Sequence, residues 1–397
     1  MDGLRRVPAA DIDAVEGDPA LEALIRDEIA ASGPMTFARF MDLALYHPER
    51  GYYRGAEARP GRGGDFLTAP EAHPIFGRAL ARLVADVWSA VGRAGSFTIR
   101  EFGAGAGALA AALVEGIDRE APALAARLRY RAVEVDRRRL RDIHERLGAA
   151  FEDDDGAPIV GVVLGNEVLD ALPTHRVVGA VGGLREIFVG VDANGQLVDT
   201  EGEPSTGALA ERLDAEGIRL EAGQQAEICL ALDGWLADAA AGLKQGLLLL
   251  IDYGHPAAAL YDSVRRRHGT LAAYLRHRVH DDPYRAIGHQ DLTAHVDLTA
   301  VERAAAAAEL DHVATTTQGP FLAGLGAGDL LVELQTGPAA DVQSYLEARA
   351  ALVRMIDPAA MGGFRVMAFG RALPLDARLR GLATGAAGAG PHRTAPD

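Results

Sequence analysis

Short and long hydrophobic runs alternate along the chain, and this pattern predicts an α/β protein. Short apolar runs bounded by glycine or polar residues predict buried strands at 97–99, 130–135, 159–164, 246–251, 312–317 and 364–369. Segments with apolar residues at helical spacing, or rich in alanine and leucine, predict helices at 71–91, 108–117, 232–242, 299–310 and 341–354. Because strands and helices alternate from residue 97 onward, we expect a mainly parallel sheet with helices packed against it.

The remaining segments differ from this alternation and suggest a division of the chain. Residues 1–62 are predicted to be an N-terminal helical segment, in which Thr36 caps a helix that begins at Phe37. Residues 63–372 form the predicted core. It contains a β-rich insertion at about 174–230 and a polar segment at about 262–297. Residues 373–397 are rich in alanine and glycine and are predicted to be a flexible tail.

A glycine-rich turn follows the first core strand, in the sequence EFGAGAG (101–107). Gly103, Gly105 and Gly107 allow a sharp turn and close approach of a ligand to the backbone. A strand, glycine turn and helix can present backbone N–H groups to a nucleotide-like ligand. With Glu101 two residues ahead, the spacing favours the first motif of S-adenosylmethionine (SAM) methyltransferases. It also fits a dinucleotide fingerprint, and a glycine-rich turn with no ligand is the plain structural alternative.

Two further positions are predicted to contact such a ligand. Glu134 ends the second strand, where a carboxylate can accept hydrogen bonds from both ribose hydroxyls; its alternative is a surface charge. Thr68 and Asp65 precede the helix predicted at 71–91 and could reach the ligand or simply cap the helix.

Polar residues also follow the strand predicted at 159–164. Asn166, Glu167 and Asp170 come just after a buried parallel strand, and in open α/β sheets ligands bind at the carboxyl ends of the strands. These three side chains are therefore candidates for the reactive part of a site. Capping of the next turn by Asn166 is the competing explanation.

Composition narrows the class of partner. The formal net charge is −16, which argues against a surface that coats nucleic acid. No run reaches the ~18 apolar residues of a membrane span. An acidic N-terminus without a signal pattern predicts a cytoplasmic protein. The single cysteine, Cys229, has apolar neighbours and is predicted to be a core thiol.

Histidine and aspartate residues are frequent between 262 and 297, which raises the question of a metal site. Their spacing matches no zinc or two-metal signature, so no metal is predicted. Asp291 and His295 of this segment, like Asp65, are second candidates for lining or closing a substrate pocket.

Several ordered blocks of the sequence resemble one family, the MidA-like SAM-dependent methyltransferases. This family includes the mitochondrial arginine methyltransferase that assists assembly of complex I. The resemblance covers about residues 20–372. It is carried by YHPERGYY (46–53), GDFLTAPE (64–71), EFGAGAG (101–107), NEVLDALP (166–173), IDYG (251–254), GTLAAYLRHRVHDDP (269–283), QDLTAHVD (290–297), QGPFLAGLG (318–326) and MGGFRVMAFG (361–370). One departure is that Ala104 and Ala106 stand where the family usually has proline and arginine.

The resemblance implies a class I methyltransferase fold with a Rossmann-like seven-stranded sheet, and SAM as the cofactor. It also implies symmetric dimethylation of an arginine in a partner protein, which could be a subunit of a respiratory complex. For that reaction Glu167 and Asp170 are the predicted carboxylates, oriented by Asn166, because a guanidinium needs carboxylates to hold it. Cofactor contacts are assigned to Gly103, Gly105, Gly107, Glu101, Glu134 and Thr68.

Two other functions compete with this prediction. One is a non-catalytic assembly factor that binds SAM or a partner without turnover. The other is a NAD(P)-dependent Rossmann oxidoreductase, which would explain the glycine turn and none of the other blocks.

Overall fold

The computed structural model describes residues 5–6, 15–54, 68–337, 341–374 and 376–382. Its strands are β1 (Arg5–Arg6), β2 (Met35–Thr36), β3 (Phe97–Phe102), β4 (Leu128–Val133), β5 (Ile159–Asn166), β6 (His175–Ala180), β7 (Gly183–Val191), β8 (Leu197–Gly202), β9 (Gln225–Ile228), β10 (Leu243–Asp252), β11 (Gly254–His255), β12 (Ala272–Leu275), β13 (Arg278–His280), β14 (Asp291–Thr293), β15 (Val296–Asp297), β16 (Asp311–Thr317) and β17 (Arg365–Arg371). Its α-helices are α1 (Pro19–Ser32), α2 (Phe37–Tyr46), α3 (Ala69–Ala72), α4 (Ile75–Ala90), α5 (Ala108–Glu120), α6 (Pro122–Ala125), α7 (Arg137–Leu147), α8 (Ala208–Ala215), α9 (Ala231–Ala241), α10 (Ala257–Leu260), α11 (Leu298–Ala307), α12 (Gln318–Gly324), α13 (Ala327–Thr336) and α14 (Val342–Ile356).

A six-stranded sheet forms the centre of the molecule, in the order β16-β17-β10-β5-β3-β4. Strands β4, β3, β5 and β10 are parallel, and β17 runs antiparallel between β10 and β16. All six strands were predicted from the sequence. The parallel strands bring their carboxyl ends to one edge of the sheet, which is where ligands bind in folds of this kind.

Both faces of the central sheet are covered by helices, which explains the unbroken apolar run of β10. Leu247 and Leu249 pack with α4 and α5 on one face, whereas Leu248 and Leu250 pack with α9 and α11 on the other. A strand buried on both faces needs apolar side chains at consecutive positions rather than at every second one.

The seventh strand implied by the family resemblance is reduced to a single bridge in the described residues. Phe151 pairs in parallel with Tyr130 of β4, and the N–H of Glu152 donates to the carbonyl of Tyr130 at 2.9 Å. Residues 152–155 (EDDD) follow, and acidic residues are poor strand formers. The sheet therefore ends at β4.

The N-terminal helices pack against the β-rich insertion as well as the core. β2 pairs with β7, so a short N-terminal strand extends the insertion sheet β2-β7-β6-β9, with β8 also on β7. Leu21, Phe37 and Phe40 share a core with Val189 of the insertion and Leu292 of the polar segment. The predicted insertion and polar segment thus join the N-terminal segment in one accessory layer.

The helices of the structure differ from the prediction in three places. The helix predicted at 71–91 is two helices, α3 and α4, separated at His73 and Pro74, where proline fixes the backbone and lacks an N–H. Helix α8 lies inside the segment predicted to be β-rich. Helices α12 and α13 were not predicted, because glycines interrupt their apolar pattern.

Part of the predicted flexible tail is packed on the core. The side chains of Leu379 and Leu382 are buried against the helices of the first sheet face. Arg380 binds the carboxylate of Asp86, with 2.9 Å between Nη2 and Oδ1. The two leucines and Arg380 make these contacts, which the alanine-rich composition of the segment did not predict. Residues 376–382 therefore extend the core.

Within the described residues, no helix is long and apolar enough to span a bilayer. The same residues hold no group of three or more His, Cys, Asp or Glu side chains arranged to bind a metal ion. The histidines of the polar segment are instead distributed over small strands and loops.

Shortening Leu379 to alanine is expected to lower the free energy of unfolding by about 2–4 kcal/mol, because it removes buried methyl groups and leaves a cavity. Urea denaturation measures the change. Val342→Ala is the matched control, since that side chain is 75% exposed, and it should change the free energy by less than about 0.5 kcal/mol. Equal midpoints for the two variants would contradict the packing of this segment.

Candidate active site

A cavity of about 440 Å³ opens at the carboxyl ends of β3, β4 and β5. Its volume falls in the range of small-molecule sites. The side chains and backbone that line it are mainly apolar, with several carboxylates. They are Tyr46, Tyr53, Thr68, Pro70, Glu71, Glu101, Phe102, Gly103, Ala104, Gly105, Ala106, Ala108, Leu109, Val133, Glu134, Val135, Arg139, Asn166, Glu167, Val168, Ala171, Leu172 and Trp235.

The glycine turn forms one wall of this cavity, and its three glycines have different roles. All three have positive φ, at 66° for Gly103, 54° for Gly105 and 75° for Gly107. A Cβ on Gly105 would meet nothing closer than 4.0 Å, so this backbone is open to a ligand. A Cβ on Gly107 would lie 2.7 Å from Ile143, and Gly107 does not line the cavity. Gly107 therefore permits packing of α5 against α7, whereas Gly103 and Gly105 line the cavity.

Glu134 lies beside the turn with its carboxylate almost fully buried. Its Oε2 accepts the N–H of Gly105 at 2.8 Å, and its Oε1 accepts the N–H of Asp136 at 3.1 Å. Arg139, one of the cavity residues that the sequence reasoning missed, places Nη1 3.7 Å from Oε1. Each carboxylate oxygen has a second lone pair, so Glu134 can still accept hydrogen bonds from a ligand.

Glu101 lies at the base of the cavity, and its environment favours the protonated form. Tyr130 donates its hydroxyl to Oε2 of Glu101 at 2.6 Å. Burial, as the main cause, raises the pKa of Glu101 to about 7, although the Tyr130 hydrogen bond opposes this rise. A bound cation would favour the ionised form of this carboxyl group.

Thr68 and Glu71 lie at the start of α3 and line the cavity as well. Both the N–H and the hydroxyl of Thr68 donate to Oε2 of Glu71, at 3.3 and 2.9 Å. The helix-capping alternative for Thr68 is therefore realised, while Thr68 also lines the cavity. Glu71 belongs to the GDFLTAPE block and lines the cavity, although no role was predicted for it. Burial raises the pKa of its carboxyl group.

Asn166 and Glu167 enter the cavity from the end of β5. Glu167 has the left-handed φ of 53°, which is rare outside glycine and is often found at functional sites. Asn166 donates Nδ2 to Oε1 of Glu167 at 3.2 Å. Burial, followed by the charges of Asp170 and Glu71, raises the pKa of Glu167 to about 8.

Asp170 does not line the cavity, which differs from the prediction of direct substrate contact. The loop turns after Glu167, so Asp170 is buried behind it and is hydrogen-bonded to the side chain of Tyr253. Burial raises the pKa of Asp170 to about 6. Its charge therefore acts on the cavity through Glu167.

Asp252 holds this loop from the end of β10. Its Oδ2 accepts the N–H groups of Val168 at 3.1 Å, Leu169 at 2.9 Å and Asp170 at 3.4 Å. Burial and the neighbouring carboxylates raise the pKa of Asp252. The IDYG block includes this residue, but spacing alone gave no sign that it would organise the loop.

Aromatic side chains complete the cavity. Tyr46 and Tyr53 stack with ring centroids 5.5 Å apart, and Phe102 meets Trp235 edge-on at 5.2 Å. The two tyrosine hydroxyls are engaged, with Tyr46 bound to the carbonyl of Ala171 at 3.0 Å and Tyr53 to Asp291 at 2.9 Å. The tyrosines thus present ring surfaces to the cavity. The YHPERGYY block was the available signal for them.

The second candidates for lining or closing the pocket were Asp65, Asp291 and His295, and none of them is found to line the main cavity within the described residues. Asp65 lies outside the described residues. Asp291 is fully buried and supports the cavity through Tyr53. His295 lies away from the main cavity, beside a small internal cavity of about 20 Å³ that Cys229 also lines. Burial raises the pKa of Cys229 to about 11, as expected for an inert core thiol.

Comparison with known proteins establishes the family. Residues 79–316 match the family model described as "Putative S-adenosyl-L-methionine-dependent methyltransferase". The match covers more than half of the chain. The protein belongs to this family of SAM-dependent methyltransferases. The predicted family resemblance, class I fold and cofactor are thereby confirmed.

Individual relatives agree with this assignment. The chain is 35% identical to a COG1565 superfamily member from Burkholderia thailandensis, whose crystal structure is bound to S-adenosyl-homocysteine. The similarity covers 94% of this chain and 98% of that one, with a TM-score of 0.84. It is 26% identical to the mitochondrial protein arginine methyltransferase NDUFAF7 of Danio rerio, over 76% of this chain and 75% of that protein. The Drosophila melanogaster homologue is also 26% identical, over 91% and 87%.

The cavity of this methyltransferase suits its cofactor. The open backbone at Gly105 and the buried carboxylate of Glu134 are adjacent, as a nucleoside site requires. The substitutions at Ala104 and Ala106 leave the backbone of the turn in its left-handed conformation. The cofactor assignment thus rests on backbone groups that these alanines do not change.

The Gly107→Ala variant is expected to weaken binding of S-adenosyl-homocysteine at least about tenfold, because the added Cβ displaces α5 and the turn from Ile143. Isothermal titration calorimetry measures the affinity. Gly148→Ala is the matched control. Gly148 also has positive φ, at 52°, but its Cβ would meet nothing within 4 Å. Equal affinities for the two variants would contradict a structural role for Gly107 at this site.

Glu101 should make stability fall as pH rises. Its pKa is about 7 in the folded protein and 4.5 ordinarily, so the native state binds the extra proton between these values. The free energy of unfolding therefore falls through this window, and the loss is complete above about pH 7. Glu101→Gln lacks this loss, so relative to wild type it should gain about 1–3 kcal/mol between pH 5 and pH 8. Urea unfolding at both pH values measures the gain, and a constant difference would contradict it.

Proposed function

We propose that this SAM-dependent methyltransferase methylates arginine side chains of a protein substrate. The observation that carries the proposal is the pair of neighbouring carboxylates that line the cavity, Glu71 and Glu167, together with the stacked rings of Tyr46 and Tyr53. A guanidinium is planar and cationic, and it binds both carboxylates and aromatic faces. The arginine methyltransferase names of the NDUFAF7 relatives support the same substrate class.

The two carboxylates have the electrostatics that a cationic acceptor requires. The charge of Glu71 contributes to the raised pKa of Glu167, so the two groups repel in the absence of a cation. A guanidinium placed between them would remove this repulsion and favour the ionised form of both. We therefore expect acceptor binding to release protons near neutral pH.

Methyl transfer then makes two demands on the protein. When bound, the cofactor supplies an electrophilic methyl group for an in-line displacement. Glu167 would hold the guanidinium so that one nitrogen faces that methyl group, and Asn166 would fix the Glu167 side chain through their 3.2 Å contact. With a pKa of about 8, Glu167 is also suited to accept the proton that the methylated nitrogen loses.

The remaining predicted residues have supporting parts in this proposal. Gly103, Gly105 and Glu134 would bind the nucleoside, with Thr68 fixing the side chain of Glu71. Asp170 would act by raising the pKa of Glu167 rather than by contact with the substrate. A NAD(P)-dependent oxidoreductase is disfavoured, because the family is described as SAM-dependent and the Burkholderia thailandensis structure is bound to S-adenosyl-homocysteine.

Replacing Glu167 by glutamine is expected to lower kcat for arginine methylation at least about 100-fold, because the variant loses both the charge and the proton acceptor. Glu71→Gln should lower kcat/KM about tenfold or more through weaker binding of the guanidinium. Transfer of labelled methyl groups to arginine peptides measures both effects, with mass spectrometry to locate the product. S-adenosyl-homocysteine affinity should change less than about threefold in either variant.

Glu302→Gln, on the exposed face of α11, is the matched control and should behave like wild type. Peptides with lysine in place of arginine test the substrate class. Transfer to lysine but not arginine would contradict the guanidinium assignment. Retained cofactor binding with no transfer to any peptide or protein would favour the non-catalytic assembly factor.

A further inference from the structure

A cationic cluster lies at the carboxyl edge of the sheet, outside the cavity described above. Its members are His255 of β11, Arg266 in the segment after α10, His295 between β14 and β15, and Arg365 at the start of β17. Arg365 is in register with Asp252 at the end of β10. Two of the four residues therefore lie on strands, His255 on β11 and Arg365 on β17.

The members of the cluster contact one another closely. Nη2 of Arg266 lies 2.6 Å from Nε2 of His255, and the His255 and His295 rings stack at 5.5 Å. Arginine can only donate, so Nε2 of His255 is the acceptor and this ring is neutral. Tyr253 packs edge-on against His295 at 5.3 Å. Arg266, His255 and His295 thus form one contiguous group, and the charge of Arg365 acts on His255.

The two arginines lack a carboxylate partner within the described part of the chain. The side chain of Arg365 makes no ion pair or hydrogen bond there, and its Nε is buried without a partner. Arg266 donates to the carbonyl of Ala259 at 2.7 Å. Asp262 attracts Arg266, but its carboxylate accepts the N–H groups of Val264 and Arg265 at 3.0 and 2.7 Å.

The pKa values of both histidines are lowered, in part by the positive charges around them. Burial, followed by the charges of Arg266 and Arg365, lowers the pKa of His255 to about 4. Burial, His255 and Arg266 lower the pKa of His295 to about 4 as well. A half-buried cation without a counter-charge is costly. Such a cluster is unexpected in a chain with a net charge of −16, unless an anion binds it.

We propose that Arg266 and Arg365, with His255 and His295, form a binding site for a carboxylate group of the acceptor polypeptide. Guanidinium groups bind carboxylates through paired, charge-assisted hydrogen bonds. Tyr253 contacts both His295 and Asp170, and Asp170 lies three residues after Glu167, so the cluster is connected to the loop that carries Glu167. The identity of the ligand as part of an acceptor rests on the proposed function, whereas binding of a carboxylate does not.

Binding of succinate to the intact protein tests the site without any assay of methyl transfer. Imidazole resonances of His255 and His295 are followed by NMR, and inorganic phosphate is titrated in a parallel experiment. We expect saturable shifts with succinate and a rise in the pKa of His255, because a bound anion stabilises its protonated form. Arg365→Gln and Arg266→Gln should abolish the shifts, whereas Arg365→Lys retains them in part.

Arg265→Gln is the matched control, since Arg265 is adjacent and exposed, and it should bind like wild type. Arg266→Gln should also raise the pKa of His255 without any ligand, which verifies that the variant is folded and that the contact exists. Shifts that do not saturate, or that persist in Arg365→Gln, would overturn the site. Saturation by phosphate but not by succinate would overturn the carboxylate assignment.

A second experiment tests the connection to the acceptor. Two arginine peptides are compared that differ only in glutamate or glutamine beside the target arginine. We expect Arg365→Gln to raise KM about fivefold for the glutamate peptide and to leave kcat and the glutamine peptide nearly unchanged. Equal KM values for both peptides with the wild-type protein would overturn the role in acceptor binding. If neither peptide is methylated, the proposed function fails, and the succinate titration still decides the subsite.

Discussion

The candidate active site depends on one buried carboxylate at the end of β10. Asp252 accepts three consecutive N–H groups from the loop after β5 and so holds that loop in a turn that β5 alone could not impose. The turn requires the left-handed conformation of Glu167, which costs about 1–3 kcal/mol and persists only where surrounding contacts fix it. The position of Glu167 in the cavity is therefore determined by the neighbouring strand. This coupling links the NEVLDALP and IDYG blocks through residues that lie 82 to 84 positions apart in the chain.

Charge in this protein is arranged in regions of opposite sign along one edge of the sheet. Glu71, Glu101 and Glu167 line the cavity with raised pKa values, and Glu101 and Glu167, at about 7 and 8, are only partly ionised near neutral pH. Beyond Asp170 and Tyr253, the charge changes sign at Arg266 and Arg365. A polypeptide that places a cation in the cavity and an acid a few residues away would satisfy both regions. The electrostatics thus favour an acceptor of mixed charge over a uniformly basic one.

The fold was largely predictable, because its central strands and helices have strong and opposite hydrophobic periods. The glycine turn, Glu134 and the 166–170 loop were also correctly brought to one edge by the rule for parallel strands. The rest depended on contacts between distant segments. Tyr46, Glu71 and Trp235 reach the cavity from α2, α3 and α9, and no local pattern states which face of a helix will meet a ligand. Asp170 was predicted to contact the substrate but is buried behind the loop. The sequence could not show this, because Asp170 and the cavity residue Glu167 are separated by only one turn of backbone.

The shortened edge of the central sheet has a consequence for solubility. Apart from the Phe151 bridge, β4 has no neighbouring strand on the side away from β3 among the described residues, and exposed strand edges can pair with other molecules. Here Arg131 of β4 forms ion pairs with Glu152, at 2.8 Å, and with Asp155. Charged side chains therefore lie along the outer edge of β4. An approaching strand would have to break those ion pairs and dehydrate their charges before it could hydrogen-bond to β4. The acidic run that replaces the seventh strand thereby discourages aggregation at the edge it leaves open.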